Sequence, residues 1–98
     1  MIDRNVRFPG GELDLVCRDG EAWVFVEVKA RRHGWDDGPA AAVSVHKQRR
    51  LVTLALRYLK RRGLSDARCR FDVVEVTVDE RGMDHVRHLR SAFDAPPR

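Results

Sequence analysis

Three carboxylates and one ammonium lie in residues 11–31 at spacings that could do chemistry. Glu12 and Asp14 are two apart, and so are Glu27 and Lys29. Side chains alternate faces along a strand, so each pair shares a face. Asp19-Gly20, between two alternating apolar runs, predicts a hairpin turn. With those two as loop residues, Glu12 falls opposite Glu27. Asp14 is then diagonal to Glu27, at roughly 7–8 Å or a little less between β-carbons. This reading puts Glu12, Asp14, Glu27 and Lys29 on one face, and Leu13, Leu15, Val24, Val26 and Val28 on the other. Like charges directly opposed destabilise a sheet. A bound cation would remove that cost and use the oxygens as ligands, and oxygen donors suit Mg²⁺ or Mn²⁺ rather than zinc. Such an ion activates water and offsets charge on a phosphodiester. Lys29 would hold the attacking water or stabilise the transition state. The alternative is an exposed sheet face laced by salt bridges, with Lys29 pairing with Glu12 or Glu27.

The elements that must position these groups read as follows. Residues 2–8 predict a short strand and Pro9-Gly10-Gly11 a turn. The hairpin spans about 12–31. Residues 32–43 have no period and predict a loop. Arg31, Arg32, His33 and Trp35 give that region cationic and aromatic groups suited to phosphate and base contacts; a solvated loop with one packed Trp fits equally. Ser44 is an N-cap candidate. A helix is expected over 45–62, closed by Gly63. Its apolar arc holds Leu51, Val52, Ala55, Leu56, Tyr58 and Leu59, while Arg49, Arg50, Thr53, Arg57, Lys60 and Arg61 fill the opposite arc. Gln48 falls within the apolar arc, so it either points at polar chemistry on the sheet or lies in an exposed first turn. Residues 70–78 predict a β-branched strand, and 85–90 a last short strand, so strands span 70–90. From Ser91 the chain reads as a tail over 91–98. The loop and helix make a crossover long enough to set strand 70–78 parallel to strand 22–31. The expected architecture is α/β: one domain over 1–98, a mixed sheet with a helix on it.

Composition bounds the partners. The chain has 98 residues, 35% of them charged, with net charge +4. A basic surface suggests an anionic partner, with nucleic acid the first candidate. Cys17 and Cys69 form no CxxC pair and read as buried thiols, which suits a reducing cytoplasm. No apolar run approaches the length of a membrane span, and Met1-Ile2-Asp3-Arg4-Asn5-Val6-Arg7 lacks the apolar region of a signal peptide, so a soluble cytoplasmic protein is the expectation.

Gly-Gly-Glu-Leu-Asp-Leu-Val, Val-Phe-Val-Glu-Val-Lys-Ala-Arg, His-Lys-Gln-Arg-Arg-Leu and Arg-Phe-Asp-Val-Val-Glu-Val occur in that order. Together with the closing His-Leu-Arg-Ser-Ala-Phe-Asp, they closely resemble the YraN-like family of small bacterial proteins. That family in turn resembles the PD-(D/E)XK nucleases, above all the archaeal Holliday-junction resolvases. The resemblance implies a restriction-endonuclease-like fold. It implies Asp14 as the metal-binding aspartate, Glu27 as the second acidic ligand and the Val28 carbonyl as a further ligand. Lys29 matches the motif lysine, and Gln48 the polar helix residue that leans into the site. Glu12 belongs to the family's Gly-Glu-x-Asp block and is a secondary candidate ligand. Family members usually carry a helix ahead of the first strand, and this sequence starts inside that strand. The expectation is exposed apolar surface, lower stability, pairing into a homodimer, or weak catalysis.

Two functions are therefore carried forward. One is a Mg²⁺- or Mn²⁺-dependent endonuclease on structured or branched DNA. It uses Asp14, Glu27, Lys29 and Gln48, with Arg31, Arg32, Lys47, Arg49 and Arg50 on the phosphates. The other is a nucleic-acid- or partner-binding module that keeps the fold and does little chemistry. A structural protein with an incidental basic surface is a third possibility.

Overall fold

A computed structural model of the chain describes residues 1–32 and 43–93, with the side chains of Arg31 and Arg32 outside the described part. The expected loop groups His33 and Trp35 also lie outside it. The elements are β1 (Asp3–Phe8), β2 (Gly11–Asp19), β3 (Ala22–Arg32), α1 (Val45–Arg61), β4 (Cys69–Val78) and β5 (Asp84–Phe93). They form one mixed sheet in the order β1-β2-β3-β4-β5 with α1 packed on it. Short turns join β1 to β2, β2 to β3 and β4 to β5, and those pairs are antiparallel. β3 and β4 are parallel, because the connection through α1 is long enough to carry the chain back to the same end.

The caps fix α1 as its sequence predicts. Ser44 Oγ accepts the Lys47 amide at 3.1 Å, and Gly63 takes φ +72 just past the end. Leu51, Leu54, Ala55, Tyr58 and Leu59 form its buried stripe. They pack on Leu13 and Val16 of β2, Trp23 and Phe25 of β3, and Phe71 of β4. Phe25 stacks on Phe71 at 5.7 Å, and the Tyr58 ring meets Phe25 edge-on at 6.0 Å.

Three expectations are corrected. First, the hairpin loop is Gly20-Glu21, with Asp19 paired to Ala22 and Arg18 to Trp23. Gly20 takes φ +61, a value that glycine adopts without the clash a Cβ would bring. The register thus moves by two residues. That keeps the faces of Glu27 and Lys29 but undoes the Glu12–Glu27 opposition. Second, strict alternation fails along β2: Leu13 and Val16, three apart, both lie in the core under α1. The β1–β2 register runs from Arg4–Leu15 to Val6–Leu13, leaving Asn5 and Asp14 between them unpaired, and Asn5 sits at φ +51. The local turn of the backbone there brings Leu13 inward with Val16. Third, β5 continues through the expected tail to Phe93. A register shift on the Phe71–Val73 side and φ +50 at Ser91 restore pairing, and Phe93 stacks on Phe71 at 5.0 Å.

On the face away from α1, Val24 and Val26 are buried while Val28 and Val86 are exposed. Cys17 and Cys69 are half-buried rather than buried, and neither is in a disulfide. No helix among the described residues is long and apolar enough to cross a membrane.

Gly11 marks the closest approach of α1 to the sheet. A Cβ there would lie 2.9 Å from Leu54 Cδ1 and 3.4 Å from Arg50 Cδ. Leu54 is 2% exposed and has nowhere to retreat. Gly11→Ala is expected to lower stability by about 1–2 kcal/mol, read as a reduced urea midpoint at unchanged slope.

Candidate functional site

The charged hairpin residues gather where β2 and β3 meet the first turn of α1. The β2–β3 register ends at Leu15–Val26. One step further, Asp14 leaves the ladder, and its Oδ2 accepts the Val28 amide at 2.9 Å. This bond fixes the Asp14 carboxylate against the backbone of the Glu27-Val28 segment. Glu27 is 8% exposed on the α1 side of the sheet. Its Oε1 forms an ion pair with Lys47 Nζ from the first turn of α1. Asp14 and Glu27 line one cavity of about 180 Å³, together with Gly11, Glu12, Lys47 and Arg50. It sits over the middle of β3, where the first turns of α1 cross the start of β2.

The sequence-predicted residues divide accordingly. Asp14 and Glu27 are brought together. Glu12 reaches the same cavity, but its carboxylate lies 3.7 Å from exposed Arg7. Lys29, half-buried, lies two residues beyond Glu27, level with Glu75 of β4. Arg50 lines the cavity and Arg49 is exposed outside it. Gln48 does not line the cavity: its Nε2 donates to the Val43 carbonyl at 2.8 Å, holding the entry to α1. Lys47 presents the side chain that meets Glu27.

Sequence reasoning gave one site residue, Lys47, a different partner and missed another, Glu75. The sequence reading placed Lys47 on phosphates; its contact with Glu27 follows from the crossover, which brings the first turn of α1 back over β3. Glu75 was not singled out at all. It is 7% exposed, pairs in register with Lys29, and accepts Thr77 Oγ1 at 3.3 Å. The available signal was an acid inside an otherwise apolar strand.

The donor set discriminates between metals. Among the described residues no three His, Cys, Asp or Glu converge. A closed four-ligand zinc centre is therefore not built from them. Asp14 and Glu27 supply carboxylates from one wall of the cavity, and Mg²⁺ is commonly held by one or two carboxylates with water and substrate phosphate completing its shell. The Lys47 ammonium against Glu27 shows that a positive charge is accommodated at this position. Asp14 and Glu27 are the two carboxylates that a hydrated divalent ion would use here. Because Lys47 occupies Glu27, Lys47→Gln should tighten any Mn²⁺ binding there by up to about fivefold, the worth of one partly exposed ion pair. Calorimetric titration with Mn²⁺ checks this.

A family model described as "Uncharacterised protein family UPF0102" matches residues 1–76. A UPF0102 protein of Symbiobacterium thermophilum is 50% identical over 95 residues, spanning 97% of this chain and 80% of the relative. One from Geobacter sulfurreducens is 44% identical over 94 residues, spanning 96% and 73%. One from Yersinia pseudotuberculosis is 53% identical over 75 residues, spanning 74% and 64%.

Proposed function

The chain belongs to the uncharacterised protein family UPF0102, and from the site its residues build we propose a divalent-metal-dependent endonuclease acting on structured or branched DNA. One observation carries the reading: Asp14 is clamped to the Val28 amide beside buried Glu27, in a cavity edged by Lys47 and Arg50. The resemblance of these motifs to PD-(D/E)XK nucleases supports it, as does the mixed sheet with its parallel crossover, the arrangement a restriction-endonuclease-like fold requires.

Asp14, Glu27 and the Val28 carbonyl would hold the ion, with Glu12 as a secondary ligand. When bound, Mg²⁺ or Mn²⁺ supplies Lewis acidity at a phosphate oxygen and lowers the pKa of water. Asp14 contributes fixed geometry, since its hydrogen bond to Val28 removes the freedom to swing away. Lys29 orients the attacking water and offsets charge in the pentavalent transition state. Arg50 and Lys47 draw the phosphate into the cavity, and exposed Arg49 extends the cationic rim. Gln48 acts indirectly, by fixing the chain that leads into α1.

A second reading, a nucleic-acid-binding module without chemistry, is favoured by one observation: Lys47 already neutralises Glu27. Incubating the protein with four-way junction, flap and duplex DNA in Mg²⁺ or Mn²⁺ separates the two. Metal-dependent strand cleavage, lost in Asp14→Asn, is expected. No cleavage of any substrate in either ion, or equal cleavage by Asp14→Asn, refutes the nuclease.

A further inference from the structure

α1 carries seven Lys, Arg and His residues and no Asp or Glu. Three of its arginines lie along the β1–β2 turn, and two of them are anchored to it. Arg50, Arg57 and Arg61 fall within about 20° of one line along the helix, at 100° per residue. That line faces the β1–β2 turn. The Arg50 Cγ and Cδ lie over Gly11, within 4 Å of where a Cβ would stand. Arg57 Nη1 donates to the Pro9 carbonyl at 3.1 Å. Arg61 stacks over the Phe8 ring at 4.4 Å. All three side chains are exposed.

These arginines differ from those on the other face of the sheet. There Arg70 pairs with Asp19 and Asp72, and Arg90 with Asp19. Among the described residues, Arg50, Arg57 and Arg61 pair with no carboxylate. Arg57 spends one of its five N–H donors on Pro9, and the contact of Arg61 with the Phe8 ring uses the face of its guanidinium and none of its N–H donors. Anchoring lowers the entropy lost when a phosphate is bound.

We propose that Arg50, Arg57 and Arg61 form a track for the backbone of a DNA strand. The track starts at the cavity, where Arg50 stands beside Asp14 and Glu27, and follows the seam between α1 and the β1–β2 turn. At 1.5 Å per residue it runs about 16 Å. At 3.4 Å per nucleotide of B-form strand, that is roughly five nucleotides to one side of the reacting phosphate. The direction of the flanking strand rests on the nuclease reading; the binding itself does not.

The test measures binding without metal. Fluorescence anisotropy of a labelled 20-base-pair duplex is titrated in EDTA over a range of salt. Arg57→Gln with Arg61→Gln should weaken binding and flatten the log K against log salt slope by about 1.8, two phosphate contacts' worth. Arg57→Lys with Arg61→Lys keeps both charges and should keep most of the slope. Arg57→Gln alone, which gives up one exposed hydrogen bond, should shift the slope half as far in a folded protein. Arg81→Gln, in the β4–β5 turn, should leave it unchanged. A wild-type slope in the Gln pair, or an equal loss in Arg81→Gln, overturns the track. So does a Gln pair that loses binding to phosphatidylserine vesicles while holding DNA normally. Cleavage by the wild-type protein is scored separately. A nuclease with an unchanged slope refutes the track alone, and a flattened slope without cleavage refutes the nuclease alone.

Discussion

Glu27→Gln is expected to lower metal-dependent cleavage by about 10³-fold or more, while leaving the fold nearly as stable as before. The rate loss corresponds to about 4 kcal/mol of transition-state stabilisation, the scale expected when an electrostatic anchor of a charged transition state is removed. Glutamine keeps the shape of the buried side chain and one of its oxygens, so packing around Phe25 and Leu51 is preserved. It removes the negative charge that would hold the ion. Lys47, 40% exposed at its side chain, turns to water at little cost when its partner is neutralised. Single-turnover cleavage and urea unfolding on the same preparation check both halves. A large rate loss with an unchanged urea midpoint places the effect in the chemistry. An equal fall in both would make Glu27 a structural residue.

Asp72→Asn should do the reverse, costing about 3 kcal/mol of stability with no role at the cavity. The Asp72 side chain is wholly buried on the face away from α1. Its Oδ1 accepts Arg70 Nε and the Ser91 amide, each at 2.9 Å. Its Oδ2 accepts Arg70 Nη2 at 3.0 Å and lies 2.8 Å from His88 Nε2. One carboxylate thereby ties β4 to β5 across the irregularity that lets β5 reach Phe93. Asparagine would turn an NH₂ toward at least one of these donors and leave it buried without an acceptor.

The same group makes stability depend on pH. Burial pushes the Asp72 carboxyl up, but hydrogen bonds from Arg70, Ser91 and His88, with the Arg70 charge, outweigh it and hold the carboxyl below its ordinary value of 3.8. A depressed carboxylate stabilises the fold fully above its unfolded pKa and loses that contribution as pH falls through the folded value. Asp19, lowered by hydrogen bonding to Arg70 and by the Arg70 and Arg90 charges, adds in the same direction. The stability gap between wild type and Asp72→Asn should be full from about pH 5 to 7 and narrow progressively as pH falls below about 4 through the depressed folded value. A gap that persists undiminished into acid would show that shape, not charge, carries the effect.

Much of the fold was legible because its signals are local. Ser44 and Gly63 bracket α1, the β-branched run marks β4, and the length of the crossover dictates the parallel pair. The hairpin register was not, because Asp19-Gly20 and Gly20-Glu21 both make two-residue loops of the same parity. That shared parity is why Glu27 and Lys29 kept their faces although their partners changed. Leu13 was misplaced because its inward turn depends on Asn5 and Asp14 leaving the ladder, which no period reveals. Within the candidate site, spacing placed Asp14 and Glu27 on a shared face with Glu12 and Lys29, and only the family resemblance singled out the Asp14–Glu27 pair from Glu12. The exchange of Gln48 for Lys47 was not legible, since neighbouring residues in a first helical turn differ by 100° and the entry angle decides which one meets the sheet. Glu75 needed the β3–β4 register, a long-range pairing that the sequence around it does not specify.

The central claim is that Asp14 and Glu27 together form a divalent-cation site. Its most direct test is uptake of Mn²⁺ by the purified protein, followed as loss of the free-ion signal in electron paramagnetic resonance. The expected result is saturable uptake of about one ion per chain by the wild type, displaced by Mg²⁺ and absent from both Asp14→Asn and Glu27→Gln. No uptake by the wild type, or equal uptake by all three proteins, would contradict it.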